Sequence, residues 1–240
     1  MQIALIWKQR FQRNYIPATY RVVDVFLNRL VPTFGTADAE AEALTNELWE
    51  ASRSRSYDSN GPDESDIAEA VQEAGVEHYL NLKEMEQGIL NCCALFLYHL
   101  FEQHLMQFHR QELLGWLHRN EIRLFTHDEV HRRFESHGLS VKSFASWPKL
   151  EELRHLANTL KHGEGKSSRE LTELNPDLFA HPSLIDDGTH VKCRSHRVYT
   201  PLLGDEIFVT AAHVRGYAEA IERFWLELSS SDAAEVVREP

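Results

Sequence analysis

The chain has 240 residues, 42% of them apolar, which is enough for one large domain or two small ones with a real core. Its formal charge of −12 excludes a general role in coating nucleic acid, since non-specific binding draws on Lys and Arg. It leaves room for a local basic patch or for a complex with a basic partner. Three cysteines, the adjacent Cys92 and Cys93 and the distant Cys193, form neither a disulfide framework nor a zinc spacing, and they fit reduced thiols in a cytoplasmic protein.

The opening residues carry too short an apolar run for a signal peptide. Ile3–Trp7 fits helix or strand alike. Pro17 suits the first turn of a helix running to about Val31, with Val22, Val23, Phe26, Leu27 and Leu30 inward, and Pro32 ends it. The Ala- and Glu-rich stretch Ala37–Arg53 is a second expected helix. Residues 54–65, with Asn60-Gly61-Pro62, form a linker. Asp66 suits the cap of a nearly continuous helix to about Arg119, with Gly75 and Gly88 as the expected breaks. The longest apolar stretch, Ile89–Phe108, contains Asn91, His99, Glu102, Gln103 and His104. That many polar groups argue for a buried helix and against a membrane span.

Farther on, Thr126 is expected to cap a short helix ending near Gly138. Ser146-Trp147-Pro148 opens another, with Pro148 in its first turn and Ser146 near the cap. Ser167-Ser168-Arg169-Glu170 reads as a capping box for a short helix to about Leu174. In Asn175–Asp205, rich in Pro, Gly and Asp, the composition changes; His190–Tyr199 and Glu206–Val209 are expected to be two short strands. Thr210 caps a last helix, Ala211–Leu228. The expected fold is mainly α, a helical bundle with a small C-terminal loop, hairpin and helix module. Its expected units are an N-terminal helical extension (1–53), a linker (54–65), a helical core (66–174), the C-terminal module (175–228) and a disordered tail (229–240).

The most informative stretch is Leu150–Ser168. Leu150, Leu153, Leu156, Ala157 and Leu160 mark one buried stripe. Arg154, Asn158 and His162, spaced i, i+4, i+8, stack on a second face, and Gly163 is a natural stop after Lys161 and His162 in the last turn. A guanidinium can hold phosphate oxygens, an imidazole can exchange a proton near neutral pH, and an amide can orient it. The bland alternative is that Asn158 and His162 cap the helix end while Arg154 pairs with Glu151 or another acid.

Asn158-Thr159-Leu160-Lys161-His162, late in a helix of an all-helical domain, resembles the HEPN superfamily, whose signature is an Arg, a polar residue, three residues and a His. Ala157 stands at the arginine position of that signature, and Arg154 lies one turn back on the same face as His162. The resemblance covers about Asp66–Leu174. It implies a helical bundle, a likeness to metal-independent RNases of toxin–antitoxin and antiviral defence systems, no cofactor, and a homodimer whose two motifs share one cleft. Catalysis would then fall to Arg154, Asn158 and His162, with Glu102, Lys161 and Lys166 in support, on an RNA substrate and with a protein partner or antitoxin. The alternatives are a non-catalytic HEPN-like scaffold or dimerisation subunit and a helical adaptor with no link to nucleic acid.

Other signals carry less. Gly163-Glu164-Gly165-Lys166-Ser167 lacks the first glycine and the preceding strand of a phosphate-binding loop. His127 and His131, at i, i+4, are near a zinc-helix pattern with the Glu one place late, and are read as structural or surface histidines. Glu102, in an apolar helix, needs a partner: Arg154 or His162 on the functional reading, Arg110 or Arg123 on the bland one.

Overall fold

The structure, a computed structural model, describes residues 2–53, 63–181, 198–202 and 206–230. Among these residues the chain is helical almost throughout and has no β-strand. The expected hairpin is therefore not seen: Glu206–Val209 is irregular, and most of its expected partner, residues 190–197, lies outside the described residues, as do Cys193, most of the linker and the tail from 231 onward. Asn91 explains the irregular backbone. Its side-chain amide donates to the carbonyls of Pro201 (3.0 Å) and Ile207 (2.9 Å), and its Oδ1 accepts from the Val209 N–H. A helix side chain thus takes the place of a neighbouring strand as partner for this backbone.

Helices α1 (Gln2–Arg10) and α2 (Ile16–Val25) form one rod, joined by a π-helical stretch, Phe11–Tyr15, and extended by another, Phe26–Leu30. Pro17 lies in the first turn of α2, as expected, but it does not begin the rod. It follows the π-helical stretch, where the ladder has already left the i→i−4 register, so its missing N–H breaks less. Helix α3 (Ala37–Arg53) packs against α4 (Glu64–Phe108). The cap of α4 is Asp63, not Asp66; its Oδ1 accepts from the N–H groups of Ser65 and Asp66. Then come α5 (His127–Ser136), α6 (Trp147–His162), α7 (Lys166–Leu174) and α8 (Ala211–Leu228). Thr126 and Thr210 cap α5 and α8 as expected, accepting from Glu129 and His213. Ser146 instead donates its hydroxyl to Glu227 at 2.6 Å, tying the start of α6 to α8.

Gly75 and Gly88 do not break α4, which is continuous; they are points of close approach. A Cβ on Gly88 would lie 2.7 Å from the backbone carbonyl of Leu202. Gly88→Ala gains helix propensity of about 1 kcal/mol but forces backbone apart. The expected net result is a lower melting temperature, measured by circular dichroism.

One hydrophobic core joins the expected units. Trp7 of α1, Phe11 of the π-helical stretch after it, Phe101 and Phe108 of α4, Phe134 of α5, the Leu150–Leu160 stripe of α6 and Phe224 and Trp225 of α8 are all buried in it. Phe11 meets Trp225 with ring centroids 4.8 Å apart, and Trp7 meets Phe108 edge-on at 4.8 Å. Such pairs add about 0.5–1.5 kcal/mol each beyond area burial.

His109, at the end of α4, is fully buried and neither ring nitrogen has a hydrogen-bond partner. Burial, reinforced by nearby Arg133, pushes its pKa down to about 4. In the unfolded chain the group titrates near 6.5, so between these values the unfolded state binds the extra proton. Its contribution is complete above pH 6.5 and is lost as pH falls toward 4, on the order of 3 kcal/mol. Urea unfolding at pH 7 and pH 4.5 is expected to show this loss, and His109→Phe is expected to flatten it.

Candidate functional site

Helix α6 presents its leucine stripe to the core, with Leu153, Leu156 and Leu160 buried, and this fixes what its other faces meet. Arg154 is partly exposed, ion-paired with Glu151, and donates to His155 Nε2 at 3.2 Å. His155 is buried; its Nδ1 lies 3.1 Å from Glu170 Oε2 of α7, an ion-pair approach without hydrogen-bond alignment. A chain of groups, Glu170, His155, Arg154 and Glu151, therefore steadies the guanidinium.

Helix α5 supplies the facing wall. His127 and His131 share one helical face, and their Nε2 atoms are 3.1 Å apart, a hydrogen bond in which one ring donates and the other accepts. The ring of His131 stands edge-on against Trp147. His127, His131, Trp147, Glu151 and Arg154 line one cleft of about 470 Å³, with Lys142 and Arg132 also in its wall.

The electrostatics of the cleft follow from this packing. Burial lowers the pKa of His127, and the Arg154 guanidinium lowers it further. Burial and His127 push His131 down to about 4. His155 is lowered by burial and then by Arg154. Burial works to raise Glu151, but the hydrogen bond from Arg154 prevails and holds the carboxyl below its usual range. At neutral pH the cleft thus presents neutral imidazoles among three cations, Arg132, Lys142 and Arg154, and three carboxylates, Asp128, Glu135 and Glu151.

The residues singled out on sequence fall in different places. Arg154 is in the cleft. Asn158 is half-buried one turn on. Lys161 and His162 are exposed at the helix end, and eight residues of rise put His162 about 12 Å beyond Arg154 along the axis. Gly163 ends α6 with φ +71°, as expected. Lys166 is exposed, 3.5 Å from Glu170. Glu102 is near His99 (3.5 Å) and not paired with Arg110 or Arg123; its charge is felt by His127. Ala157, at the signature's arginine position, is buried in the core. The pairing of Arg154 with Glu151, the bland alternative, is present.

The sequence reading set His127 and His131 aside as structural or surface histidines and gave His155 no role; the structure brings all three near Arg154. Their signal was the i, i+4 histidine pair on an amphipathic helix and the histidine next to Arg154. Among the described residues no group of three or more His, Cys, Asp or Glu is arranged to hold a metal ion, and no helix is long and apolar enough to cross a membrane. No family model, curated protein or solved structure matches this chain.

Proposed function

We propose that the protein is a HEPN-like, metal-independent endoribonuclease whose working site is the cleft between α5 and α6. The observation that carries this reading is the placement of Arg154 in one cleft with the hydrogen-bonded pair His127 and His131. RNA carries its own nucleophile. An imidazole removes the proton from the 2′-OH, the 2′-oxygen bonds to phosphorus, the bond to the 5′-oxygen breaks, and a proton passes to that leaving oxygen. The more exposed His127, neutral, is assigned the removal of the 2′-OH proton, and His131, protonated, supplies the proton that reaches the leaving oxygen through their shared hydrogen bond. Arg154 binds the phosphate oxygens as negative charge grows on them. His155 is a positioning residue, acting through Arg154.

Labelled single-stranded RNA is expected to be cut in the presence of EDTA, leaving a 2′,3′-cyclic phosphate. The pH profile adds a second readout. One imidazole must be neutral and the other protonated, and both pKa values lie below the ordinary 6.5. Activity is therefore expected to rise as pH falls from 7, with its optimum on the acid side of 6.5. An optimum above pH 7.5, or cleavage abolished by EDTA, would contradict the assignment.

A second reading is a non-catalytic HEPN-like subunit that dimerises or scaffolds a defence complex. It is favoured by the buried Ala157 and by the exposed Val76, Leu80 and Met85 along the first half of α4. A dimer in sedimentation experiments, with no cleavage at any pH, would select it.

A further inference from the structure

The charge of this acidic chain is not evenly spread. Residues 1–31 hold Lys8, Arg10, Arg13, Arg21 and Arg29 against a single acid, Asp24. Three of these arginines, Arg10, Arg13 and Arg21, line a cleft of about 520 Å³ beside the α1–α2 rod. A second cleft of about 690 Å³ is lined by Arg110 and Arg119, just past the end of α4. Both clefts include Gln107 and Gln111, so they adjoin one another along the end of α4, and the two are together termed the groove. No carboxylate lines either part, although the whole chain carries 37 Asp and Glu.

Most of these arginines are not spent on ion pairs. Arg10 is bound to Glu112, but Arg13, Arg21, Arg110 and Arg119 have no carboxylate partner among the described residues. The two walls are also where the helices depart from α geometry. Phe11–Tyr15 and His109–Leu113 are both π-helical, a conformation found frequently at functional sites.

A second, independent observation points to a ligand. The Tyr15 hydroxyl and His104 Nδ1 both belong to residues lining the arginine cleft, and both atoms are buried without a hydrogen-bond partner. Tyr15 itself is only 3% exposed, and its ring stacks on His104 at 4.3 Å. Buried polar atoms left unpaired are costly, and both of these belong to the wall of the arginine cleft.

We propose that this groove binds a single strand of RNA by its phosphodiester backbone and leads it to the His127–Arg154 cleft. The arginines, spread over two adjoining clefts, fit successive phosphates better than one compact anion. The Arg110 guanidinium lies over the Phe125 ring at 5.4 Å, a flat platform on which an unpaired base can stack. Asn14 and Gln107 offer amides to base edges, while the amide oxygens of Asn120 and Gln111 accept from Arg110 and Arg10. An acidic peptide has no use for the platform. Phe125 lines the groove and His127, two residues on, lines the catalytic cleft, so a strand leaving one enters the other. Naming the strand as RNA rests on the nuclease reading; its binding by the groove does not.

The test separates binding from cleavage by using a strand that cannot be cut. A fluorescent 2′-O-methyl oligouridylate of about twelve nucleotides spans such a groove and is read by anisotropy. Wild type and Arg215→Gln, an exposed arginine of α8 outside both clefts, are expected to bind it alike. Arg13→Gln/Arg21→Gln/Arg119→Gln, three exposed positions, is expected to bind at least tenfold more weakly at low salt. Its slope of log affinity against log salt should flatten by about 0.7 per lost phosphate contact. Circular dichroism establishes that the triple variant keeps its fold. Absence of wild-type binding, or equal binding by the triple variant, would overturn the proposal. Displacement of the strand by oligoglutamate at equal concentration would reassign the groove to an acidic protein partner.

Discussion

Arg154→Ala is expected to lower RNA cleavage at pH 6 by roughly 10²–10³-fold, the usual effect of removing one donor aimed at developing charge. The loss should fall on kcat more than on KM, because the groove, not this guanidinium, supplies most strand binding. Stability should change little. Arg154 is paired with Glu151 at a partly solvent-exposed site, where such a pair is worth about 0–1 kcal/mol. Arg154→Lys keeps the charge but loses the planar fork that reaches both Glu151 and His155, so it is expected to recover only part of the rate. A stopped-time cleavage assay with a circular-dichroism melt on each variant checks both halves of this expectation.

Asn91→Leu is expected to be among the most destabilising single substitutions in the chain, by about 3–5 kcal/mol. The side chain is fully buried and its four hydrogen bonds reach Gln87, Pro201, Ile207 and Val209. Leucine matches its volume but leaves two carbonyls and an N–H buried without partners. The irregular segment before α8 should then come loose while the core aromatic cluster stays packed. Urea unfolding gives the size of the effect. Hydrogen exchange places it: protection should fall first at Val209, whose N–H donates to this amide, while Phe208 N–H keeps its bond to the Leu178 carbonyl.

The fold was legible in the sequence where its determinants are local. The leucine stripe of α6, the threonine caps of α5 and α8 and the glycine stop at 163 follow from helical periodicity and terminal hydrogen bonding, and all appear as read. Asn91 was legible only as a polar interruption of an apolar run, since its partners lie more than a hundred residues away. The same distance misled the reading of Glu206–Val209 as a strand: extended, apolar residues need a backbone partner for that, and here a side chain serves instead.

The cleft was half legible. Helical spacing grouped Arg154 with Asn158 and His162, but a column on a helix face says nothing about what the neighbouring helix brings. The long guanidinium turns back to Glu151 and His155, and the histidines facing it belong to α5. The i, i+4 spacing of His127 and His131 did place both imidazoles on one face. Only the packing of α5 could show that this face meets Arg154. The arginine groove was hidden for the same reason: Arg13 and Arg119 are distant in sequence, and the overall charge of −12 masks their meeting.

The central claim is that chemistry belongs to the α5–α6 cleft and not to the exposed end of α6. The most direct measurement compares His127→Ala with His162→Ala in EDTA, using the same labelled single-stranded RNA and reading the 2′,3′-cyclic phosphate product. Loss of cleavage in His127→Ala with a near wild-type rate in His162→Ala is the predicted result. Loss in His162→Ala with cleavage retained in His127→Ala would contradict it and return the site to the helix end.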